Sequence, residues 1–252
     1  MQNQDDVQLL MKFAVIHMEI IWSIILAIFV VGIYSLLTGI RLLRLKIIHE
    51  EKSSSASVRL ALFQRITGFM LFGFLPLLVI RLIPGRSLAD YGIQTKTVLK
   101  GLMFALPFAL VIVPFSYFNS GRKDNLERYP VFRLRIWDWN SLVVSALSWI
   151  IYLIAYEFLF RGFFLFSCLH SFSMPVAIFI NICLYSLAHI PKGIKEIIGS
   201  VPVGIILCLL VIKVGTIWVA VFIHIMMALS NEWFSIAAHP DMKFKLRKTG
   251  VL

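Results

Sequence analysis

Residues 139–191 read WNSLVVSALSWIIYLIAYEFLFRGFFLFSCLHSFSMPVAIFINICLYSLAHIP, and within them only Glu157 and Arg161 carry a charge. A membrane-crossing helix needs about 20 predominantly apolar residues, so this stretch holds two. Ser171-Phe172-Ser173-Met174-Pro175 interrupts it with turn-forming residues, and the reading is one helix, a tight turn and a second helix running back.

The same pattern extends outward. Uncharged windows also cover 20–40, 66–80, 101–121, 197–212 and 214–231. Of the 252 residues 60% are hydrophobic and 15% charged, with a mean hydropathy of +0.88, which excludes an ordinary soluble domain. The expected fold class is all-α: a polytopic membrane bundle of about seven transmembrane helices near 13–43, 61–83, 98–118, 139–170, 174–190, 200–213 and 215–236. The sixth is the shortest on this reading, a span with snorkelling ends or a re-entrant segment. Pro76, Pro107, Pro114 and Pro202 fall inside or at the start of these helices, which membrane helices tolerate where neighbours satisfy the freed carbonyls.

A net charge of +11 would suggest nucleic acid in a soluble protein. Here the segments 41–65, 122–135, 192–195 and 243–248 hold six, five, two and four Lys or Arg, 17 of the 24 in the chain, and all four fall on one side of the bundle. That bias predicts an outside N-terminus, a cytoplasmic C-terminus and no nucleic-acid partner. Asp5 and Asp6, with no small-residue cleavage pattern after the first apolar run, predict that the first helix is retained. The chain divides into N-terminal membrane helices with a basic cytoplasmic loop (1–90), a membrane core (91–236) and a basic tail (237–252), whose Lys243, Lys245, Arg247 and Lys248 suit anionic headgroups. Ser53–Ser57 reads as a polar loop tip, and Cys168, Cys183 and Cys208 as apolar packing residues within helices.

A charge inside hydrocarbon is costly and marks a functional candidate. Glu157 and Arg161 are four apart, on one helical face, with the glutamate N-terminal as a favourable pair requires; alone they would serve as a structural ion pair. His189 ends the fifth helix one turn after Tyr185, and His224 lies within the seventh; singly, each reads as a helix-end or core histidine. At 1.5 Å per residue, Glu157 lies about 20 Å, Arg161 about 15 Å and His189 about 24 Å below the turn at 171–173, and His224 about 13 Å below the turn near 213–215. These depths allow one buried polar site. Glu19 and Glu232 fall near helix ends and read as interfacial.

An intramembrane Glu-x-x-x-Arg-Gly at 157–162, an aromatic-x-x-x-His at 185–189 and a histidine in the last apolar helix, in this order, resemble the CAAX protease and bacteriocin-processing family of intramembrane endopeptidases. The resemblance covers roughly 90–231, including Tyr91-Gly92-Ile93. It implies that Glu157, Arg161, His189 and His224 are catalytic, with Tyr156 and Tyr185 lining the substrate. Two positions depart from the family pattern: Tyr156 stands where a first glutamate belongs and Ala228 where an asparagine belongs. In the family that glutamate and the second-motif histidine activate water, and the asparagine assists the last histidine at the oxyanion.

With those two absent, the expected mechanism has Glu157 and His189 activating water, His224 stabilising the oxyanion and Arg161 orienting Glu157. No cofactor is required. Zinc is an alternative, held by Glu157, His189 and His224, but a carboxylate spent as a ligand cannot also be the base. The substrate implied is a membrane-embedded or lipid-anchored polypeptide, and the expected location is a bacterial inner membrane. Two other classes stand beside the protease: a catalytically inactive relative acting as a binding, immunity or scaffold protein, and a small transporter relaying protons through Glu157 and His189, for which no inverted repeat is visible.

Overall fold

The computed structural model describes residues 18–39, 54–190 and 193–245. Seven principal helices cover them: α1 Met18–Gly39, α2 Ser55–Leu82, α3 Leu88–Ser120, α4 Trp139–Ser171, α5 Met174–Leu187, α6 Ile194–Val214 and α7 Trp218–Ala238. Six are long and apolar enough to cross a bilayer, and α5 is the shorter one. The protein is an all-α integral membrane bundle.

The short helix is therefore the fifth and not the sixth. α6 has 21 residues, about 32 Å at 1.5 Å per residue, because it begins at Ile194 and includes Lys195 and Glu196 in its first turn. Counting apolar residues from one charge to the next cut that turn away. The charges sit at a surface: Lys195 Nζ is 2.9 Å from Asp124 Oδ2, and Arg128 Nη1 is 3.4 Å from Glu196 Oε1. Lys195 holds the Asp124 carboxyl below the usual carboxylate range. α5 has 14 residues, about 21 Å, shorter than a hydrocarbon core of about 30 Å.

Loop contacts sort the connections into two ends. At one end the 122–128 turn meets the start of α6, and two short strands, β1 Ile136–Trp137 and β2 Lys243–Phe244, pair in parallel. The start of the basic tail is thus tied to the body: the Lys243 and Lys245 amides donate to the carbonyls of Arg135 and Trp137, while Arg247 and Lys248 lie outside the described residues. At the other end, the Thr97 hydroxyl donates to that of Thr216, and Lys100 Nζ to the Val214 carbonyl. Ser55–Ser57 belong to the first turn of α2; Ser53 lies outside the described residues. Cys168 and Cys208 are buried and Cys183 is exposed, all three free.

α4 is the central element. Every residue from Leu159 to Leu165 is at most 2% exposed, although helices facing lipid leave one side open. Within it, Phe158–Phe164 winds as a π-helix, a form that is rare and common at functional sites. Gly162 permits a close approach here, since a Cβ would lie 3.2 Å from the Tyr91 carbonyl oxygen and 2.9 Å from the Phe158 ring.

Glu19 and Glu232, read from sequence as interfacial, are fully buried side chains. Glu19 accepts from Arg86 Nη2 and Nε at 2.7 and 2.9 Å and from the Tyr91 hydroxyl at 2.9 Å, and sits 2.8 Å from His170 Nδ1. Glu232 accepts from the Ser145 hydroxyl and the Val131 amide. Nearby, Arg65 donates to the Ser148 hydroxyl and the Ser145 carbonyl and stacks 4.1 Å from the Trp149 ring. Both glutamates are helix-terminal in sequence, but the neighbouring chain folds over them.

Candidate active site

Burial in hydrocarbon obliges every backbone carbonyl to find a partner, and two side chains near the centre meet that demand. The π-segment shifts the helical hydrogen-bond ladder, and Asn181 Nδ2 of α5 donates to the Phe160 carbonyl at 2.6 Å. Cys208 Sγ of α6 in turn sits 3.3 Å from Asn181 Oδ1, which locks α4, α5 and α6 together. Just past the end of α5, His189 Nδ1 lies 2.9 Å from the Tyr185 carbonyl. A carbonyl only accepts, so Nδ1 carries the proton and caps a helix end that would otherwise leave carbonyls unpaired.

The remaining polar groups are not explained by the backbone. Glu157 ends the regular part of α4 and is completely buried. Its Oε1 lies 2.6 Å from His224 Nδ1 on α7, and its Oε2 lies 3.5 Å from Arg161 Nε. The Arg161 guanidinium, also completely buried, stacks 3.8 Å from the Tyr185 ring. His224 is the accessible member, with its side chain 16% exposed. Tyr156, adjacent to Glu157, places its ring edge-on to both imidazoles, with centroids 5.6 Å from His224 and 6.3 Å from His189. Tyr185 packs 4.6 Å from His189 and 5.9 Å from Tyr156.

All four residues expected to form the site, Glu157, Arg161, His189 and His224, converge with Tyr156 and Tyr185. Their pairing differs from the expectation. Glu157 engages His224, while His189 stands across the Tyr156 ring. The i, i+4 pair of Glu157 and Arg161 does form, though at 3.5 Å it is an ion pair without a well-made hydrogen bond. Tyr156 and Tyr185, expected to line substrate, are 4% and 2% exposed and form the inner wall. Asn181 and Cys208 were not anticipated; the signal available was an amide at mid-helix in an otherwise apolar segment.

The described residues contain no group of three His, Cys, Asp or Glu placed to hold a metal ion. Glu157, His189 and His224, the set that zinc would need, do not form such a group.

Such a site gathers a carboxylate–histidine pair and a second histidine between the helices of an integral membrane bundle. Residues 138–230, from just before α4 into α7, match the family model Rce1-like, described as Type II CAAX prenyl endopeptidase Rce1-like. The matched segment holds every site residue named above and leaves out α1 to α3. No curated protein and no solved structure matches the chain.

Proposed function

We propose that the protein is an intramembrane endopeptidase that hydrolyses a peptide bond of a membrane-embedded or lipid-anchored polypeptide, with Glu157 and His224 as its base. The supporting observation is the 2.6 Å contact between His224 Nδ1 and Glu157 Oε1, lying within the Rce1-like segment. With Glu157 ionised, the carboxylate accepts from Nδ1–H, which leaves the Nε2 lone pair of His224, a partly exposed side chain, available as the base. Nε2 takes a proton from water as the water oxygen bonds to the substrate carbonyl carbon. The same proton then passes to the amide nitrogen as the C–N bond breaks, giving a carboxylic acid and an amine. Arg161 compensates the carboxylate charge from its other oxygen, and no cofactor enters any step.

The basic loops gathered at one end suit the cytoplasmic face of a bacterial inner membrane, with the N-terminus outside. A second reading, an inactive relative that binds a membrane polypeptide as an immunity or scaffold protein would, draws support from Tyr156 standing where the family pattern has a glutamate. The two separate in proteoliposomes loaded with quenched fluorescent transmembrane and lipidated peptides. The protease reading expects cleavage by the natural protein, lowered by roughly 10²-fold or more in Glu157→Gln and His224→Ala. Silence in the natural protein with activity gained in Tyr156→Glu would establish the inactive reading in its place.

A further inference from the structure

A hydrolase needs a hydrogen-bond donor where negative charge develops on the substrate oxygen, and neither histidine of this site has one to offer. His224 is engaged twice, through Nδ1 with Glu157 and through Nε2 as the base. His189 commits its Nδ1–H to the Tyr185 carbonyl, so in the neutral ring Nε2 bears no proton. Arg161 also has nitrogens without hydrogen bonds, but its guanidinium is stacked on the Tyr185 ring and lies against Oε2 of Glu157, the oxygen opposite the one that meets His224.

Tyr156 remains. Its hydroxyl is buried and makes no hydrogen bond, an unusual state for a phenol at 4% exposure. Its ring stands edge-on between the two imidazoles, with interplanar angles of 84° and 85°. Packing holds it there: Phe160, Tyr152, Phe72 and Tyr185 surround it with centroids at 4.7, 5.8, 5.9 and 5.9 Å. A fixed, desolvated donor with no existing partner costs no reorganisation when charge appears beside it.

Resting on the protease reading above, we propose that the Tyr156 hydroxyl is the oxyanion donor of this site. The phenol donates a hydrogen bond to the tetrahedral oxygen and keeps its proton throughout. Replacement of a glutamate by tyrosine at this position then exchanges roles within the site: the base moves to Glu157–His224, and position 156 turns from proton acceptor to hydrogen-bond donor.

The test is kinetic, with full-length protein in proteoliposomes and one cleavable peptide. Tyr156→Phe is expected to lower kcat roughly 10²-fold with KM within about twofold. Tyr152→Phe, which removes another buried hydroxyl one turn earlier on the same helix, is expected to keep natural kcat. Incorporation of 3,5-difluorotyrosine at position 156, which preserves shape but makes the phenol more acidic, moves the alkaline limb of the kcat–pH profile to lower pH. Unchanged kcat in Tyr156→Phe, with Glu157→Gln and His224→Ala inactive, overturns the oxyanion role and leaves the protease reading intact. An inactive natural protein overturns both. Should Tyr156→Phe unfold, an alkaline limb that does not move with difluorotyrosine overturns the role.

Discussion

Replacement of Glu19 by leucine tests whether α1 is fastened to the core by a buried carboxylate. Glu19 gathers four donor contacts from three residues distant in sequence: two from Arg86, one from Tyr91 and one from His170. Their exposure decides how much each loses. Arg86 and His170 side chains are 22% and 21% exposed, so each recovers water when the carboxylate goes, and each contact is worth about 0.2–1 kcal/mol as a surface pair. Tyr91 is 0% exposed, so its hydroxyl is left buried and unpaired at about 1–3 kcal/mol. The expected loss is about 2–4 kcal/mol. In Glu19→Gln an amide oxygen still accepts from Tyr91, and the loss falls to about 1 kcal/mol.

Unfolding in detergent micelles by a graded denaturant, followed by tryptophan fluorescence, reads these differences. The decisive comparison is a double-mutant cycle with Tyr91→Phe, because removing both partners abolishes the unpaired group. A coupling of about 1–2 kcal/mol is expected; additivity within about 0.5 kcal/mol refutes the claim that the Tyr91 hydroxyl carries the cost. The cycle bears on function too. The backbone of Tyr91 packs on Gly162, and its ring lies 5.9 Å from that of Phe163, inside the π-segment that follows Glu157.

Three further substitutions test the packing of the bundle. Gly101→Ala places a Cβ 2.5 Å from that of Trp218 and 2.9 Å from its carbonyl carbon, so α3 and α7 must part, at about 1–3 kcal/mol; Gly199→Ala on α6, where a Cβ meets nothing within 4 Å, instead gains about 0.5–1 kcal/mol, and denaturation midpoints in one detergent should move in opposite directions. Arg65→Met removes the donor to the Ser148 hydroxyl and the Ser145 carbonyl and the cation stacked on the Trp149 ring, and is expected to cost about 1–3 kcal/mol in the same assay.

The bundle was legible because the bilayer imposes one-dimensional rules: a charge-free window of sufficient length is a helix whatever its neighbours are. Those rules fail where a charge is local to an interface. Lys195 and Glu196 shortened α6 on paper, yet both are paired at the surface with Asp124 and Arg128, and the helix runs through them. Glu19 and Glu232 fail in the opposite sense, since their partners Arg86, Tyr91, His170 and Ser145 lie 67 to 151 residues away and no window spans that distance. The convergence of the four polar side chains was legible from depth, because depth is sequence distance times rise. Pairing within it was not. Which histidine reaches Glu157 depends on helix rotation, and the π-winding that begins at Phe158 alters the rotation that a regular 3.6-residue period supplies.

Backbone accounting also separates structural from chemical polarity in the membrane centre. Asn181 lies in an apolar helix and His189 just past its end, yet each serves an identifiable carbonyl, Phe160 in the π-segment and Tyr185 in the last turn of α5. Substituting either removes a partner the fold requires, so polarity at 181 and 189 follows from structure even if no reaction occurs. Glu157 and Tyr156 serve no carbonyl, and both hold buried oxygens, Oε2 and the hydroxyl, without hydrogen bonds. A bundle built only to stand would be more stable with apolar groups there. The imidazole of His224, bonded to Glu157 on one nitrogen and partly exposed as a side chain, is where that unspent polarity meets the exterior, and so the hydrolytic reading rests on α4 and α7 more than on the histidine that follows α5.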